Sequence, residues 1–312
     1  MRKQFYTSST NTSYIHVFGH RNPDSDSICC SIVVSEWLNF IGKTAKPFRQ
    51  GELTPESKYI LNFADVLVPD MLPSDLSGQK VWLVDFTDVE QGPPTLLDSD
   101  ILGIIDHHRL GTVITKSPPD VWIRKVGCSC TIVFQILTTE SPMPISQHQA
   151  ILLLGAILSD TLALTGPTTT EKDKVAVSKL KNIANLNYDK FINGLLAAKT
   201  DISGQTASQL LNRDAKNYQI GGLSILLSQI EVCSMADITP ILPELFQAIE
   251  IRRKVSRLDV VVLILTDIMQ HNSTIYFSEN ETLGLSPVSL PGVTSRKKEI
   301  LPWLTNQLEP IC

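Results

Sequence analysis

The first two thirds of the chain alternate short β-branched runs with longer segments of helical periodicity. The runs predict strands at residues 14–18, 81–85, 101–105 and 121–126. The longer segments predict helices at residues 26–40, 128–138, 146–158, 171–184 and 188–198. Strands that alternate with helices are typical of α/β domains, so we expect a largely parallel sheet flanked by helices.

The last third of the chain predicts a smaller α/β domain with a mixed sheet. Its predicted strands are residues 216–220, 223–231, 259–266 and 273–277. Its predicted helices are residues 205–212, 238–256 and 295–308, and Pro302 is expected to kink or restart the last one because proline lacks the amide hydrogen. A polar run at residues 199–204 ends in a glycine and predicts a linker, so we place the two domains at residues 1–198 and 205–312.

The composition is that of a globular protein. The 312 residues suffice for two domains, and 43% hydrophobic and 19% charged residues are ordinary proportions. The apolar runs are too short to cross a bilayer and the amino terminus lacks the apolar stretch of a secretory signal, so we expect a cytoplasmic protein with no membrane partner. The net charge of −5 disfavours nucleic acid as a partner, because nucleic-acid binders present a basic surface.

The six cysteines are too few and too scattered to act as a disulfide framework, so we predict that they are thiols. Cys128 and Cys130 are one residue apart, but no second cysteine or histidine pair at zinc spacing accompanies them. We therefore interpret both as small buried hydrophobic residues.

Histidines and aspartates cluster directly after predicted strands. His20 opens a segment that holds Asp24 and Asp26, Asp85 ends the second predicted strand, and the His107–His108 pair follows the third. Ligands of open α/β sheets bind beyond the carboxyl ends of the strands. We therefore expect these side chains to converge although they are far apart in sequence.

Four of the aspartates, joined by two histidines, suggest a centre of two divalent cations. Neighbouring carboxylates repel each other unless a cation lies between them. The charge of four carboxylates balances two divalent ions, and neutral imidazoles would complete the ligand set: His20, Asp24, Asp26, Asp85, His107 and Asp160. Mixed imidazole and carboxylate ligands suit manganese, cobalt, iron or zinc better than magnesium or calcium.

Each of these residues also has a structural interpretation. Asp26 is a possible helix-initiating residue, and Asp85 a possible turn former. The two adjacent histidines could form an exposed polar pair, and Asp160 could be a cap or a surface residue of an apolar helix. The metal hypothesis rests on the improbability that all of them lie by chance where one site needs them.

A basic cluster in the second domain is the counterpart of these acids. Residues 295–298, Ser-Arg-Lys-Lys, open the last predicted helix, where the backbone amides and the helix dipole favour an anion. Arg296 and Lys297 would add directed positive charge. The alternative is a solvated basic turn, and Lys216 taken alone would be an ordinary surface lysine.

Six segments, in this order and over nearly the whole chain, resemble the manganese-dependent family II inorganic pyrophosphatases of the DHH phosphoesterase superfamily: GHRNPDSDS, DHHR, VGCSCT, LSDT, DAK and LPGVTSRKK. The resemblance implies an amino-terminal parallel sheet with flanking helices, a smaller mixed carboxy-terminal domain, and an active site in the cleft between them. It also implies a homodimer formed through the first domain, with no nucleic-acid substrate.

The resemblance assigns roles to individual residues. One ion would be held by His20, Asp24 and Asp85, and the other by four residues that again include the bridging Asp85: Asp26, Asp85, His107 and Asp160. Pyrophosphate would be bound by the four residues expected to be catalytic: His108, Lys216, Arg296 and Lys297. The implied cofactors are two Mn²⁺ or Co²⁺ per subunit and Mg²⁺ bound with the substrate.

The expected reaction is hydrolysis of pyrophosphate to two phosphates by a hydroxide that bridges the two ions, with His108 as the proton donor or hydrogen-bond partner on the leaving side. The alternatives are an exopolyphosphatase or a nucleotide phosphodiesterase of the same superfamily, and a non-catalytic scaffold. One departure stands out: many family members have Asp-His-Asn-Glu where this chain has Asp85-Phe86-Thr87-Asp88. We expect Phe86 to alter metal affinity while activity is retained.

Overall fold

A computed structural model describes residues 14–279 and 284–308. The expectations for the amino-terminal stretch and for Cys312 lie outside the described residues. Among the described residues, a first compact unit extends to Thr165 and includes Thr169–Leu195, and a second consists of Gly166–Thr168 and the residues from Leu196 onward. The domain boundaries that the sequence suggests, with a linker at residues 199–204, stay a prediction.

The strands of the first unit form one parallel sheet. In chain order they are β1 (Ile15–Phe18), β2 (Ala45–Arg49), β3 (Asp70–Met71), β4 (Lys80–Val84), β5 (Asp100–Asp106) and β6 (Asp120–Ile123). Their spatial order is β3-β2-β1-β4-β5-β6, and every pairing is parallel. The order reverses between β1 and β4, which is where open sheets of this kind leave a crevice for ligands.

Two helices of the first unit are buried on nearly all sides. The helices are α1 (Ser25–Phe40), α2 (Pro55–Ala64), α3 (Ser129–Gln135), α4 (Gln147–Asp160), α5 (Glu171–Ala184) and α6 (Tyr188–Thr200). Helix α1 packs against β1, β2 and α4, and α4 also packs against α2 and α5. Because α1 and α4 lie inside the apolar core, the first residues of α1 and the last residues of α4 are held in fixed positions beside the sheet.

The central strands β1, β4 and β5 are buried on both faces, as expected for a parallel sheet that is covered on both sides, whereas the edge strands β3 and β6 are partly exposed. In β1, Val17 belongs to the large core that includes the helices, and its neighbour Phe18 belongs to a second apolar cluster on the other face. The indole of Trp82 in β4 packs edge-on against Trp37 of α1 with ring centroids 5.7 Å apart. This contact fixes α1 to the centre of the sheet.

The second unit is built on a smaller mixed sheet. Its strands are β7 (Ala215–Ile220), β8 (Leu223–Val232), β9 (Val260–Asp267), β10 (Asn272–Phe277) and β11 (Val288–Pro291). The spatial order is β11-β10-β9-β8-β7, with only β8 and β9 parallel among the described pairings. Its helices are α7 (Ala207–Arg213), α8 (Met235–Ile238), α9 (Leu242–Ser256) and α10 (Leu301–Leu308).

Both predicted sheets, parallel and mixed, are confirmed. Helix α9 begins at Leu242, later than the predicted 238, because Pro240 and Pro243 restrict the preceding turns. Pro302 lies in the first turn of α10, after a separate wide helical turn at Arg296–Ile300, so the predicted restart is confirmed. None of the helices in the described ranges has the length and apolar character needed to span a bilayer.

Five elements were absent from the sequence-based prediction: β2, β3, α2, α8 and β11. Strand β2 contains Pro47 and two basic residues, which hide its strand character. Helix α2 does carry a recognisable start, because the Thr54 side chain accepts the Ser57 amide and Pro55 occupies the first turn. That signal was available in the sequence.

Candidate functional site

Asp85 lies at the centre of the acidic cluster of the first unit. It follows β4 with a φ of 64°, in the left-handed region, while its amide continues the sheet by donating to Ile105 O at 2.8 Å. One carboxylate oxygen, Oδ2, lies 3.2 Å from His20 Nε2, and the other, Oδ1, lies 3.4 Å from His107 Nε2. The side chain is 1% exposed. Asp85 therefore connects two groups of potential ligands, one on each side.

The first group contains His20, Asp24 and Asp85, whose ligand atoms lie within 4.8 Å of one another. His20 Nε2 is 3.4 Å from Asp24 Oδ2. The other ring nitrogen, Nδ1, lies 2.9 Å from the carbonyl of Arg21, which can only accept, so Nδ1 donates and Nε2 is the nitrogen that a neutral ring would offer to a metal ion. The imidazole is thus oriented as a metal-ligating histidine would be.

Asp24, not Asp26, is the residue that caps helix α1. Its Oδ1 accepts the amide of Ser27 at 3.0 Å, while Oδ2 faces His20. Asp26 is in the first turn of α1 and is completely buried. The helix-initiating interpretation of Asp26 therefore does not hold, and its carboxylate is directed toward other partners.

The second group consists of Asp26, His107 and Asp160, together with Asp85. His107 Nε2 is 3.9 Å from Asp26 Oδ2 and 4.0 Å from Asp160 Oδ2. His107 Nδ1 lies 3.2 Å from the carbonyl of Val126 and donates to it, so Nε2 is the nitrogen that this ring directs to the acids. The structure thus brings together all six residues that the sequence suggested as ligands.

Asp26 is anchored by the amino terminus of helix α3. Its carboxylate accepts the amides of Ser129 at 2.6 Å and Cys130 at 3.0 Å, and the thiol of Cys128 at 3.0 Å. Burial, followed by the nearby charge of Asp85, raises the pKa of Asp26 to about 6. The carboxylate is therefore costly to ionise at this place unless positive charge is supplied.

The cluster fits divalent cations. Two ligand atoms bound to one ion at about 2.1 Å lie roughly 3–3.5 Å apart, close to the separations between Asp85 and the two histidines. The donor set of imidazole nitrogens and carboxylate oxygens is the set expected for manganese or related ions. His107 is buried, so the interpretation of the histidine pair as exposed polar residues is wrong for this member.

His108 is held differently from the other two histidines. Its Nδ1 lies 2.8 Å from Asp106 Oδ1, which also accepts the His108 amide at 3.1 Å. The Asp106 carboxylate therefore orients the ring through Nδ1, which also lies 3.5 Å from Asp85 Oδ1. Sequence reasoning overlooked Asp106, although it directly precedes the histidine pair. It also overlooked Ser27 and Ser129, whose hydroxyls donate to Asp85 at 2.9 and 3.3 Å.

Of the basic residues of the second unit, Arg296 is held beside the start of β7. Arg296 is buried, and its guanidinium donates to the Asp214 backbone carbonyl and pairs with Asp214 Oδ1 at 2.8 Å. Lys216 is two residues further along and 8% exposed, so it is not the surface lysine that its sequence context suggested. Lys297 is partly exposed and Lys298 is exposed.

The helical turn that carries Arg296 already holds an anion of its own. Glu299 Oε2 accepts the amides of Thr294 at 3.1 Å and Ser295 at 3.0 Å, and the Ser295 hydroxyl accepts the amide of Lys298. The expectation that these backbone amides await a substrate anion therefore needs correction. Any anion bound here would meet the side chains of the turn.

Comparison with known proteins identifies the family. Residues 14–157 match the DHH family, N-terminal domain, and residues 193–307 match the DHHA2 domain. The chain is 36% identical over 303 residues to the manganese-dependent inorganic pyrophosphatase of Methanothrix thermoacetophila, covering 93% of this chain and 97% of the relative. The chain belongs to the manganese-dependent inorganic pyrophosphatase family. A probable member from Staphylococcus haemolyticus is 32% identical over 306 residues, covering 94% of this chain and 98% of that protein.

Solved structures agree with membership of the pyrophosphatase family. A Methanococcus jannaschii protein assigned to the family II inorganic pyrophosphatases superimposes with a TM-score of 0.86 at 29% identity, covering 94% of this chain and 99% of that chain. An exopolyphosphatase-related protein of Bacteroides fragilis reaches a TM-score of 0.51 at 13% identity, which shows a shared fold alone.

Phe86, the departure from the family pattern, is 1% exposed and belongs to the second apolar cluster. Its ring centroid lies 6.1 Å from that of Phe18. The residue is thus adjacent in sequence to Asp85 while its side chain packs among apolar groups. The effect of this residue on metal affinity stays a prediction.

We predict that Phe86→His changes the Mn²⁺ concentration for half-maximal activity by about tenfold or more, because polar groups around a ligand tune metal affinity. The buried imidazole should also lower the free energy of unfolding by about 1–3 kcal/mol. Manganese titrations and urea unfolding measure the two effects. Phe86→Leu is the matched control, expected to leave the manganese dependence unchanged; the same dependence in Phe86→His would refute the tuning role.

Proposed function

We propose that this protein hydrolyses inorganic pyrophosphate to two phosphates, with two divalent ions, manganese or cobalt, bound in each subunit. The observation that carries the proposal is the position of Asp85, whose two carboxylate oxygens face His20 and His107 on opposite sides. Membership of a family whose relatives are named manganese-dependent inorganic pyrophosphatases supplies the substrate.

The ligands divide naturally between two ions. His20, Asp24 and Asp85 would hold one, and Asp26, Asp85, His107 and Asp160 the other. Two such ions, when bound, would lower the pKa of water and polarise the phosphoryl oxygens. The serine hydroxyls on Asp85 and the α3 amides on Asp26 fix the directions of those two carboxylates before an ion arrives.

His108 would act on the leaving phosphate. With Nδ1 turned to the Asp106 carboxylate, the opposite ring nitrogen Nε2 would donate a hydrogen bond to a developing phosphate oxygen. Asp106 is then a positioning residue that sets the orientation of His108.

Lys216, Arg296 and Lys297 would bind the phosphate groups and neutralise the charge that grows on them, together with Mg²⁺ bound to the substrate. Asp214 holds the Arg296 guanidinium, so this arginine needs little reordering to meet an anion. We further propose a cytoplasmic homodimer formed through the first domain, with no nucleic-acid substrate.

The proposal is tested by comparing phosphate release from pyrophosphate, tripolyphosphate and a dinucleotide, with metal-free protein and after addition of Mn²⁺, Co²⁺ or Mg²⁺. We expect manganese-activated release with a clear preference for pyrophosphate. A preference for tripolyphosphate would identify an exopolyphosphatase, a preference for the dinucleotide a phosphodiesterase, and no release from any of them a non-catalytic scaffold.

Replacing Asp85 with alanine should reduce hydrolysis by more than about 100-fold, because loss of an outer partner of a metal ligand alone costs about 10–100-fold. Bound manganese should fall as well, as measured by metal analysis after dialysis. Asp88→Ala is the control: Asp88 is partly exposed, lies in the same loop and accepts a hydrogen bond from Thr112 at 2.6 Å. Near-normal activity and manganese content in Asp85→Ala would exclude the bridging role.

The neighbouring lysines give a matched pair for the substrate site. Lys297→Ala should raise KM for pyrophosphate about tenfold or more, since a hydrogen bond to a charged group contributes about 1.5–3 kcal/mol. Lys298→Ala should leave KM nearly unchanged, because this side chain is exposed. Steady-state kinetics at fixed Mg²⁺ measure both, and equal effects in the two variants would reduce Lys297 to a contributor of general positive charge.

A further inference from the structure

Three thiols lie directly behind the metal ligand Asp26. Cys30 comes from α1, and Cys128 and Cys130 come from the start of α3; all three are completely buried. The Cys128 thiol donates to Asp26, and the Cys30 and Cys130 sulfurs lie within 4.8 Å of each other. We call Asp26, Cys30, Cys128 and Cys130 the thiol pocket. The sequence predicts that Cys128 and Cys130 are small buried hydrophobic residues, and both are buried. That interpretation does not account for their position beside Asp26.

Asp26 belongs to both the thiol pocket and the acidic cluster, with one oxygen for each. Oδ1 accepts the Cys128 thiol and the Cys130 amide, both at 3.0 Å. Oδ2 accepts the Ser129 amide at 2.6 Å and lies 3.9 Å from His107 Nε2. An ion on the thiol side would therefore bind the same carboxylate as an ion on the histidine side.

The atoms of the pocket are close enough to share one ion. A carboxylate oxygen of Asp26 and the sulfurs of Cys30 and Cys130 all lie within 4.8 Å of one another. Two sulfurs on a tetrahedral zinc ion, with bonds of about 2.3 Å, are roughly 3.8 Å apart, so a small inward movement suffices. Sulfur ligands select zinc and similar soft cations, whereas manganese favours oxygen and nitrogen.

We propose that the thiol pocket binds a thiophilic divalent cation of the zinc class, and that this ion draws the Asp26 carboxylate toward the sulfurs and so weakens manganese binding on its other oxygen. Binding forms metal–sulfur bonds with Cys30 and Cys130, and the two thiol protons are released to solvent; nothing is oxidised or reduced. Cys128 is the nearest additional ligand. The inhibition that follows rests on the proposed function, but the binding itself does not.

Cadmium is a suitable probe because its bonds to thiolates give an ultraviolet charge-transfer band, whereas its bonds to histidine and aspartate do not. The full chain, freed of metal and kept reduced with a phosphine, is titrated with Cd²⁺ in the absence of pyrophosphate. We expect the band in the wild-type protein and a much weaker band in Cys130→Ala, which removes one of the two proposed sulfur ligands. Cys29→Ala is the control, because Cys29 is also completely buried and neighbours Cys30 but lies outside the pocket.

Zinc-edge X-ray absorption of the wild-type protein gives a test that needs no variant. Sulfur neighbours at about 2.3 Å would support the pocket, and a shell of only nitrogen and oxygen would overturn it. Cadmium binding without the band, or with an equal band in Cys130→Ala, would overturn it as well.

The inhibitory consequence is measured separately. With Mn²⁺ present, Cd²⁺ should inhibit pyrophosphate hydrolysis in the wild type and in Cys29→Ala, and inhibit Cys30→Ala more weakly. Equal inhibition of the wild type, Cys29→Ala and Cys30→Ala would show that cadmium does not inhibit through the thiol pocket. If the protein releases no phosphate from pyrophosphate at all, the proposed function fails, whereas a cadmium band would still support the site.

Discussion

The first unit is organised around the cost of placing carboxylates close together inside a protein. Asp26 and Asp85 are almost completely buried, and Asp24 and Asp160 lie at the edge of the same cluster. Such groups repel one another and lose hydration on burial. The surrounding structure offsets part of this cost with donors from the chain itself: amides of α3 at Asp26, serine hydroxyls at Asp85 and the first turn of α1 at Asp24. The remainder is what a cation is suited to supply.

In the second unit the closely placed charges are positive, and acidic side chains hold them in position. Asp214 pairs with Arg296, and Glu299 binds the amides that precede it, so the basic turn is ordered by acids of its own. These partners lower the local excess of positive charge and limit the motion of the arginine. For the proposed function, such preorganisation would favour selective phosphate binding over maximal electrostatic attraction.

The positions of the metal-type ligands could be predicted from the sequence because they follow strands that are easy to recognise. His20, Asp85 and His107 come directly after buried β-branched runs, and the rule for open parallel sheets then places them together. The partners of these residues were harder to find. The Ser129 hydroxyl donates to Asp85 and the Ser129 amide donates to Asp26 because α3 begins beside these two carboxylates. The local sequence contains no information on contacts between residues so far apart in the chain.

The errors in the predicted elements have similar causes. Pro47 and its basic neighbours conceal β2, whose place in the sheet is decided by pairing with β1. The amide-anion expectation at residues 295–298 was incomplete because Glu299, one residue further on, folds back onto the amides. In both cases a tertiary or near-range contact overrides what a short window of sequence suggests.

The strand order of the first sheet has a consequence for the newly made chain. The acids and imidazoles come from the ends of β1, β4 and β5 and from the last turn of α4, so the set spans His20 to Asp160. A nascent chain that contains only the first three strands has His20, Asp24 and Asp26. It does not yet contain Asp85, the carboxylate that faces both His20 and His107. If these residues bind manganese as proposed, the complete ligand set would exist only after the chain has been made as far as Asp160, and a shorter fragment would bind the ion less tightly.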